Sequence, residues 1–184
     1  MKLVSLLERL EYTCLQGTTD QEIKNVIYDS RKVEEGSLFI CIRGAVVDGH
    51  KFVPDVVAKG AKVLVVEEAV EAPEDVTMIL VKDTRYAMAF ISAAYFGYPA
   101  EKLKTIGITG TKGKTTTTYM VKSILENAGY KVGLIGTIEA IIGDRKIPAK
   151  NTTPESYMVQ EYFHEMVEAG CDCVVMEVSS QGLM

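Results

Sequence analysis

A glycine-rich turn between a short β-branched run and a helical pattern is the feature that most constrains how this chain can fold. The run covers residues 104–109, and the helical pattern covers residues 114–128. Glycines at 107, 110 and 113 leave room for backbone N–H groups to approach phosphate oxygens, and the start of the helix adds its positive dipole end. The order of strand, glycine turn and helix therefore predicts a phosphate-binding loop.

Two side chains that follow this turn suit a nucleoside triphosphate. Lys114 can reach the β- and γ-phosphates, and the hydroxyl of Thr115 is placed to bind Mg²⁺. The strict pattern has its first glycine at position 108, where this chain has Ile108, so the spacing G-x-x-G-x-x-G-K-T is a variant. An ordinary glycine turn is the alternative, and Gly-Lys-Thr between a strand and a helix argues against it.

Composition and charge argue against several classes of partner. The chain has 184 residues and a net charge of −5, which gives no support for binding to nucleic acid or to a membrane surface. The apolar residues at 3, 6, 7 and 10 have amphipathic spacing but no cleavage site follows them, and no apolar run is long enough to span a bilayer. We therefore expect a cytoplasmic protein that is a monomer.

The order of the predicted elements gives an α/β fold with two domains. Residues 1–83 read as a small N-terminal α/β domain, residues 84–103 as a connecting helix and linker, and residues 104–184 as part of a phosphate-loop ATPase domain. Only three parallel strands are predicted in the second domain, whereas sheets usually have about four to six. We therefore expect the chain to be a piece of a longer protein. The predicted strands are 23–28, 37–42, 62–67, 77–82, 104–109, 131–135 and 173–178, with a hairpin over 139–148 and helices over 52–59, 84–96, 114–128 and 155–169.

Glu177 is the main candidate for a metal ligand. It closes a buried strand at the carboxyl end, and ligands of open α/β sheets bind just outside such ends. A carboxylate there can hold Mg²⁺ on the phosphates of a nucleotide. The alternative is a buried structural carboxylate, which is costly after Val-Val-Met unless it has a partner. Ser179 and Ser180 follow at the same edge, and they either donate to a ligand or form a plain loop.

Two polar clusters have both a binding and a structural interpretation. Asn151-Thr-Thr-Pro154 precedes a predicted helix, and on the residues alone Thr153 is slightly favoured as a helix N-cap. Asp29-Ser-Arg31 follows a predicted strand, and it either binds a polar ligand or makes an Asx-type turn. His50 and His164 have no triad partner within reach in the sequence, so neither is assigned a catalytic role.

Taken together, these motifs resemble the Mur ligase family, which makes the peptide part of bacterial cell-wall precursors. Residues 29–40 and 48–50 look like a uridine-nucleotide-binding domain of this family, and residues 109–116 are similar to its ATP loop. Residues 151–154 together with 176–180 resemble the branch that adds the third amino acid, rather than the branch that adds the terminal dipeptide.

The resemblance implies an ATP-dependent ligase that joins an amino acid to UDP-N-acetylmuramoyl-L-alanyl-D-glutamate through an acyl-phosphate, with Mg²⁺. Lys114 would stabilise charge on the γ-phosphate, and Thr115 and Glu177 would share the metal. Ser30 would contact the uridine part of the substrate. The pyrophosphate and muramoyl-peptide parts would be contacted by Asn151, Thr152, Thr153 and Ser179. ATP binding is assigned to Gly110, Thr111, Lys112, Gly113, Lys114, Thr115 and Thr116.

The chain departs from the family pattern at two positions. Lys112 stands where asparagine is commoner, and Gln181 stands where histidine usually follows the two serines. The 184 residues also end before the C-terminal domain of the family, so this piece alone is expected to have no ligase activity. A sister ligase of the same family and a generic phosphate-loop nucleotide-binding module are the alternative functions.

Overall fold

The structure is a computed structural model that describes residues 1–44 and 47–180. The chain divides into two compact units, Met1–Tyr95 and Phe96–Met184. Each unit contains a five-stranded sheet in which parallel strands dominate, so the predicted α/β class is confirmed. The predicted domain boundaries stay predictions.

The first unit is a parallel sheet with one antiparallel strand at its edge. Its strands are β1 (Thr13–Gln16), β2 (Asn25–Ile27), β3 (Ser37–Ile40), β4 (Val63–Val66) and β5 (Thr77–Leu80), and its helices are α1 (Leu3–Leu6), α2 (Val53–Ala58) and α3 (Thr84–Tyr95). The strand order is β1-β5-β4-β3-β2. Strands β2 to β5 run parallel, whereas β1 pairs antiparallel with β5. The carboxyl ends of the four parallel strands therefore share one edge of the sheet.

Burial in this unit explains which elements the sequence predicts well. Every residue of β3 and β4 is buried, and such continuous runs are typical of parallel strands that are covered on both faces. Strand β1 is mostly exposed and carries no apolar alternation, and it is absent from the predicted strands. Helix α1 has only four residues, so the apolar spacing up to residue 10 overstates its length, although Leu3, Leu6 and Leu7 are all buried.

The second unit combines three parallel strands with a hairpin, as the sequence predicts. Its strands are β6 (Lys104–Ile108), β7 (Val132–Ile135), β8 (Glu139–Ile142), β9 (Arg145–Pro148) and β10 (Cys173–Glu177), and its helices are α4 (Lys114–Asn127) and α5 (Ser156–Glu168). The strand order is β6-β10-β7-β8-β9, with β8 and β9 antiparallel. No helix in the described part of the chain is long and apolar enough to cross a membrane.

The central position of β10 decides which loops meet. Strand β10 pairs in parallel with β6 on one side and with β7 on the other. The segments that follow β6, β7 and β10 therefore lie at the same edge of the sheet. Glycine also lets α5 lie close to β7, because a Cβ atom on Gly133 would come within 2.4 Å of the sulfur of Met166.

Candidate nucleotide and metal site

The predicted phosphate loop is a turn whose shape depends on two glycines. Strand β6 ends at Ile108 and α4 begins at Lys114, close to the predicted limits. Gly110 has a φ of 146°, and Gly113, the N-cap of α4, has a φ of 81°. Residues with a Cβ atom rarely adopt these angles. Because residues 109–113 are exposed, the start of α4 is accessible to an anionic ligand.

Lys114 and Thr115 lie where the first turn of α4 meets this loop. The ammonium of Lys114 donates a 2.8 Å hydrogen bond to the carbonyl of Gly110, which leaves two of its three donors for phosphate oxygens. The hydroxyl of Thr115 donates to Oε2 of Glu177 over 3.0 Å. The first turn of α4 and the end of β10 are thus in direct contact. The other predicted ATP contacts in the loop are exposed, namely Thr111, Lys112 and Thr116.

Glu177 is a buried carboxylate, with 1% of its surface exposed. A Cβ atom on Gly136 would come within 2.5 Å of Oε1 of Glu177, so this glycine leaves the space that the carboxylate occupies. The carboxylate accepts three hydrogen bonds of 3.0 Å, from the hydroxyl of Thr115 and from the N–H and hydroxyl of Thr137. Among the residues that the structure describes, no lysine or arginine forms an ion pair with Glu177. A buried carboxylate that no cation neutralises is costly in free energy. This edge of the sheet is therefore suited to bind a cation.

The oxygens of Thr115 and Glu177 fit Mg²⁺. Within the described ranges, no group of three or more His, Cys, Asp or Glu side chains could hold a metal ion by itself. Mg²⁺ needs no such group, because phosphate oxygens and waters usually complete its octahedron. Oγ1 of Thr115 and Oε2 of Glu177 meet in a hydrogen bond of 3.0 Å, so both oxygens would be available together to hold Mg²⁺, and their role as metal ligands stays a prediction.

The Asn151-Thr-Thr-Pro154 segment reaches the same end of β10. The hydroxyl of Thr153 donates to the carbonyl of Glu177 over 3.2 Å and accepts from the N–H of Ser179 over 2.9 Å. The interpretation of Thr153 as a helix N-cap is wrong. Helix α5 begins at Ser156, later than the residues before Pro154 suggest, so its N-cap is Glu155. The side chain of Glu155 makes no capping hydrogen bond.

Other predicted substrate contacts of the second unit are less engaged. The hydroxyl of Thr152 lies 3.1 Å from that of Thr137, and Asn151 is exposed. Ser179 is placed by its backbone N–H, and Ser180 is exposed. Gln181, where the chain departs from the family pattern, lies outside the described residues.

In the first unit, Asp29 makes the predicted Asx-type turn. Its Oδ1 accepts from the N–H of Arg31 over 3.1 Å, and its Oδ2 accepts from the guanidinium of Arg31 over 2.7 Å. The hydrogen bond from the Arg31 guanidinium lowers the pKa of Asp29 to about 2. Ser30 is half-buried inside this turn, and its carbonyl accepts a 2.7 Å hydrogen bond from Lys59. The contact of Ser30 with uridine stays a prediction.

His50 has a structural environment. Its Nε2 accepts a hydrogen bond of 3.0 Å from the N–H of Glu67, so the ring proton sits on Nδ1, which is 2.6 Å from Oδ1 of Asp48. The hydrogen bonds from His50 to Asp48 lower the pKa of that carboxyl, the backbone N–H having the largest effect. Both ring nitrogens are therefore used within the protein.

Two family models match this chain. The Mur ligase family, catalytic domain, matches residues 22–96, and the Mur ligase middle domain matches residues 108–184. The chain belongs to the Mur ligase family. The middle-domain match begins at the last residue of β6 and contains the phosphate loop, Thr137 and Glu177.

Similar proteins of this family are much longer. The chain is 52% identical over 183 residues to the UDP-N-acetylmuramoyl-L-alanyl-D-glutamate--2,6-diaminopimelate ligase of Clostridium perfringens (strain 13 / Type A), and it spans 100% of itself and 38% of that protein. A solved structure of a ligase with the same name has a TM-score of 0.79 at 21% identity, over 100% of this chain and 37% of that one. MurF from Acinetobacter baumannii has a TM-score of 0.66 at 27% identity, over 97% and 36%. The chain thus spans less than two fifths of the relatives that it matches.

Gly136 and Thr137 are not among the site residues predicted from the sequence of this Mur ligase family member. Both directly follow β7, whose four residues are all buried. A polar residue just after a buried parallel strand is a usable signal for a site residue, since such strands end at the ligand-binding edge. The pairing of β7 with β10 brings Thr137 to Glu177, and this pairing cannot be predicted from the spacing of residues in the sequence.

Proposed function

We propose that this Mur ligase chain carries the ATP-phosphate site and the uridine-nucleotide domain of an ATP-dependent ligase of peptidoglycan precursor synthesis. The whole protein joins 2,6-diaminopimelate to UDP-N-acetylmuramoyl-L-alanyl-D-glutamate, an assignment supported by the names of its relatives, and we place this reaction in the cytoplasm. The observation that carries the proposal is the contact between Thr115 behind the phosphate loop and the buried Glu177 at the end of β10.

The proposed reaction has two steps. A carboxylate oxygen of the D-glutamate residue attacks the γ-phosphorus of ATP, ADP leaves, and an acyl-phosphate forms. The amine of the incoming amino acid then attacks the acyl carbon, loses a proton and displaces inorganic phosphate. Phosphoryl transfer of this kind depends mainly on positioning and on neutralisation of charge.

Three features of this chain serve the first step. The N-terminus of α4 and the free donors of Lys114 hold the phosphates and offset their charge. Thr115 and Glu177 would hold Mg²⁺ through their side-chain oxygens. When bound, Mg²⁺ would neutralise part of the phosphate charge that repels the attacking carboxylate.

The uridine substrate is assigned to residues in each unit. In the first unit, Ser30 contacts the uridine part, and the rigid turn made by Asp29 and Arg31 supports its position. In the second unit, the pyrophosphate and muramoyl-peptide parts are contacted by Asn151, Thr152, Thr153 and Ser179. Thr153 and Ser179 lie at the end of β10, and Thr152 lies beside Thr137.

Titration calorimetry on the 184-residue chain tests this proposal. UDP-N-acetylmuramoyl-L-alanyl-D-glutamate is the ligand and UDP-glucose is the control, with Ser30→Ala as the test variant and Ser5→Ala, an exposed serine of α1, as its matched control. We expect selective binding that Ser30→Ala weakens and Ser5→Ala does not. Binding of Mg²⁺-ATP without any response to the uridine compounds would favour a generic nucleotide-binding module. No binding of either ligand would contradict the proposal.

A further inference from the structure

We propose that Thr137 is a positioning residue that fixes the carboxylate of Glu177 in the orientation that receives Mg²⁺. This inference rests on the proposed function and extends it to a residue that no motif of the phosphate loop contains. Thr137 contacts Glu177 twice, once through its backbone and once through its side chain.

The two contacts grip different oxygens of one carboxylate. The N–H of Thr137 donates to Oε1 of Glu177, and the hydroxyl of Thr137 lies 3.0 Å from Oε2. Holding both oxygens defines the plane of the carboxyl group, which a single hydrogen bond cannot do. Oε2 is also the atom that meets the hydroxyl of Thr115, so Thr137 turns this oxygen towards the phosphate loop.

The direction of each hydrogen bond follows from the chemistry of the groups. An ionised carboxylate only accepts, so the hydroxyls of Thr115 and Thr137 both donate to Oε2. Thr137 has one hydroxyl proton, and that proton is used on Glu177. At the 3.1 Å contact between Thr152 and Thr137, the donor must therefore be Thr152. Two consecutive hydrogen bonds therefore run in the same direction, from Thr152 to Thr137 and from Thr137 to Glu177.

This series of hydrogen bonds connects the predicted substrate segment to the predicted metal ligand. Thr152 acts on the side chain of Glu177 through Thr137, while its neighbour Thr153 holds the backbone carbonyl of Glu177. The carboxylate is thus fixed through its side chain and its main chain by the segments that follow β7 and precede α5. The hydrogen-bonding partners of ligating carboxylates commonly change metal affinity by about 10- to 100-fold when they are removed.

Thr137 suits a clean test because its residue is exposed, so a substitution disturbs little packing. Thr137→Val keeps the shape and the backbone N–H but removes the hydroxyl, and Thr137→Ser restores the hydroxyl. Thr105→Val, at an exposed threonine of β6, is the matched control for a threonine-to-valine change in the same sheet. Calorimetry with ATP is run on the 184-residue chain and its variants, with Mg²⁺ and with EDTA in its place, after circular dichroism has shown that each is folded.

We expect Thr137→Val to weaken the binding of ATP with Mg²⁺ about 10-fold and to leave its binding in EDTA unchanged. The affinity of Thr137→Ser for ATP with Mg²⁺ should stay within about three-fold of that of the unsubstituted chain. The affinity of Thr105→Val should equal that of the unsubstituted chain. Equal losses with and without Mg²⁺, or no loss at all in Thr137→Val, would overturn the inference. If the unsubstituted chain shows no Mg²⁺-dependent binding, the nucleotide part of the proposed function fails, and this inference fails with it.

Discussion

Two glutamates at the carboxyl ends of inner strands each accept hydrogen bonds from the N–H and the hydroxyl of one threonine, but among the described residues only Glu67 has a cationic partner. Glu67 follows β4 in the first unit, and Glu177 ends β10 in the second. Oε1 of Glu67 accepts from the N–H and the hydroxyl of Thr84, over 2.9 and 2.7 Å. Glu177 accepts from the same two groups of Thr137. In both units the threonine follows the neighbouring parallel strand.

The difference lies in the cation. A guanidinium nitrogen of Arg43 lies 3.7 Å from Oε2 of Glu67, and the same arginine also contacts Asp48 and Glu68. In the described part of the chain, Glu177 has hydroxyl and N–H donors only. The first arrangement carries its own neutralising charge and serves the fold, whereas the second leaves room for a cation that arrives with a ligand.

The largest expected effect comes from removing the charge of each glutamate in turn. Glu177→Gln should weaken the binding of ATP with Mg²⁺ about 100-fold, because it removes the anionic metal ligand. Without Mg²⁺ the same change should raise the unfolding midpoint by about 2–4 °C, because a neutral amide replaces a buried charge. Calorimetry and thermal unfolding measure the two effects.

Glu67→Gln is the matched control for that change. It should leave the Mg²⁺-dependent binding within about two-fold and should not raise the unfolding midpoint, because it takes a partner from Arg43. The comparison between the two glutamates breaks down if both variants change Mg²⁺-dependent binding to the same extent.

A smaller effect on ATP binding is expected from adding a methyl group at two glycines of the second unit that lie close to a side chain. Gly136→Ala places a carbon within 2.5 Å of Oε1 of Glu177, and Gly133→Ala places one within 2.4 Å of the sulfur of Met166. Each should lower the free energy of unfolding by roughly 1–3 kcal/mol, measured by urea denaturation. Only Gly136→Ala should also weaken Mg²⁺-dependent ATP binding. Equal binding by the two variants would mean that the position of the carboxylate is unimportant.

The smallest effect concerns a carboxylate with a permanent cation, Asp29. Its folded-state pKa of about 2 lies below its ordinary value of 3.8, mainly because of the hydrogen bond from Arg31. The pair therefore stabilises the folded state above about pH 4, and this contribution is lost as the pH falls from about 4 to about 2. Arg31→Leu should raise the pKa of Asp29 towards its ordinary value, as measured by carboxyl carbon NMR. Lys32→Leu should raise it less, since Lys32 acts only through charge, and an equal rise in both variants would contradict this account.

Local sequence patterns were enough to predict the parallel strands and the glycine turn between β6 and α4. The continuous apolar runs of β4 and β10 identify buried strands, because few other elements of that length are apolar throughout. Gly113 followed by Lys114 and Thr115 predicts the start of α4 for a local reason as well, since the turn needs a glycine at positive φ.

Features that depend on which strands pair were not predictable in this way. Strand β1 is exposed, and only its pairing with β5 makes it a strand. Thr153 has the chemistry of an N-cap, but its hydroxyl bonds to the end of β10, which lies far from it in sequence. Thr137 acquires its contacts in the same way, through a strand order that no short motif encodes.

The central position of β10 also has a consequence for how the second unit acquires its structure. Strands β6 and β7 have no pairing with each other, and β10, which comes after both in the chain, fills the gap between them. Thr115 and Glu177 are 62 residues apart in sequence, so a ribosome exposes the phosphate loop well before the carboxylate that it meets. Pairings of such long range form slowly, because a large loop must close first. In a nascent chain, β6 and β7 would therefore stay unpaired with each other, and the phosphate loop would lack its contact with Glu177, until β10 is synthesised. During this interval the exposed strand edges are most in need of protection by chaperones.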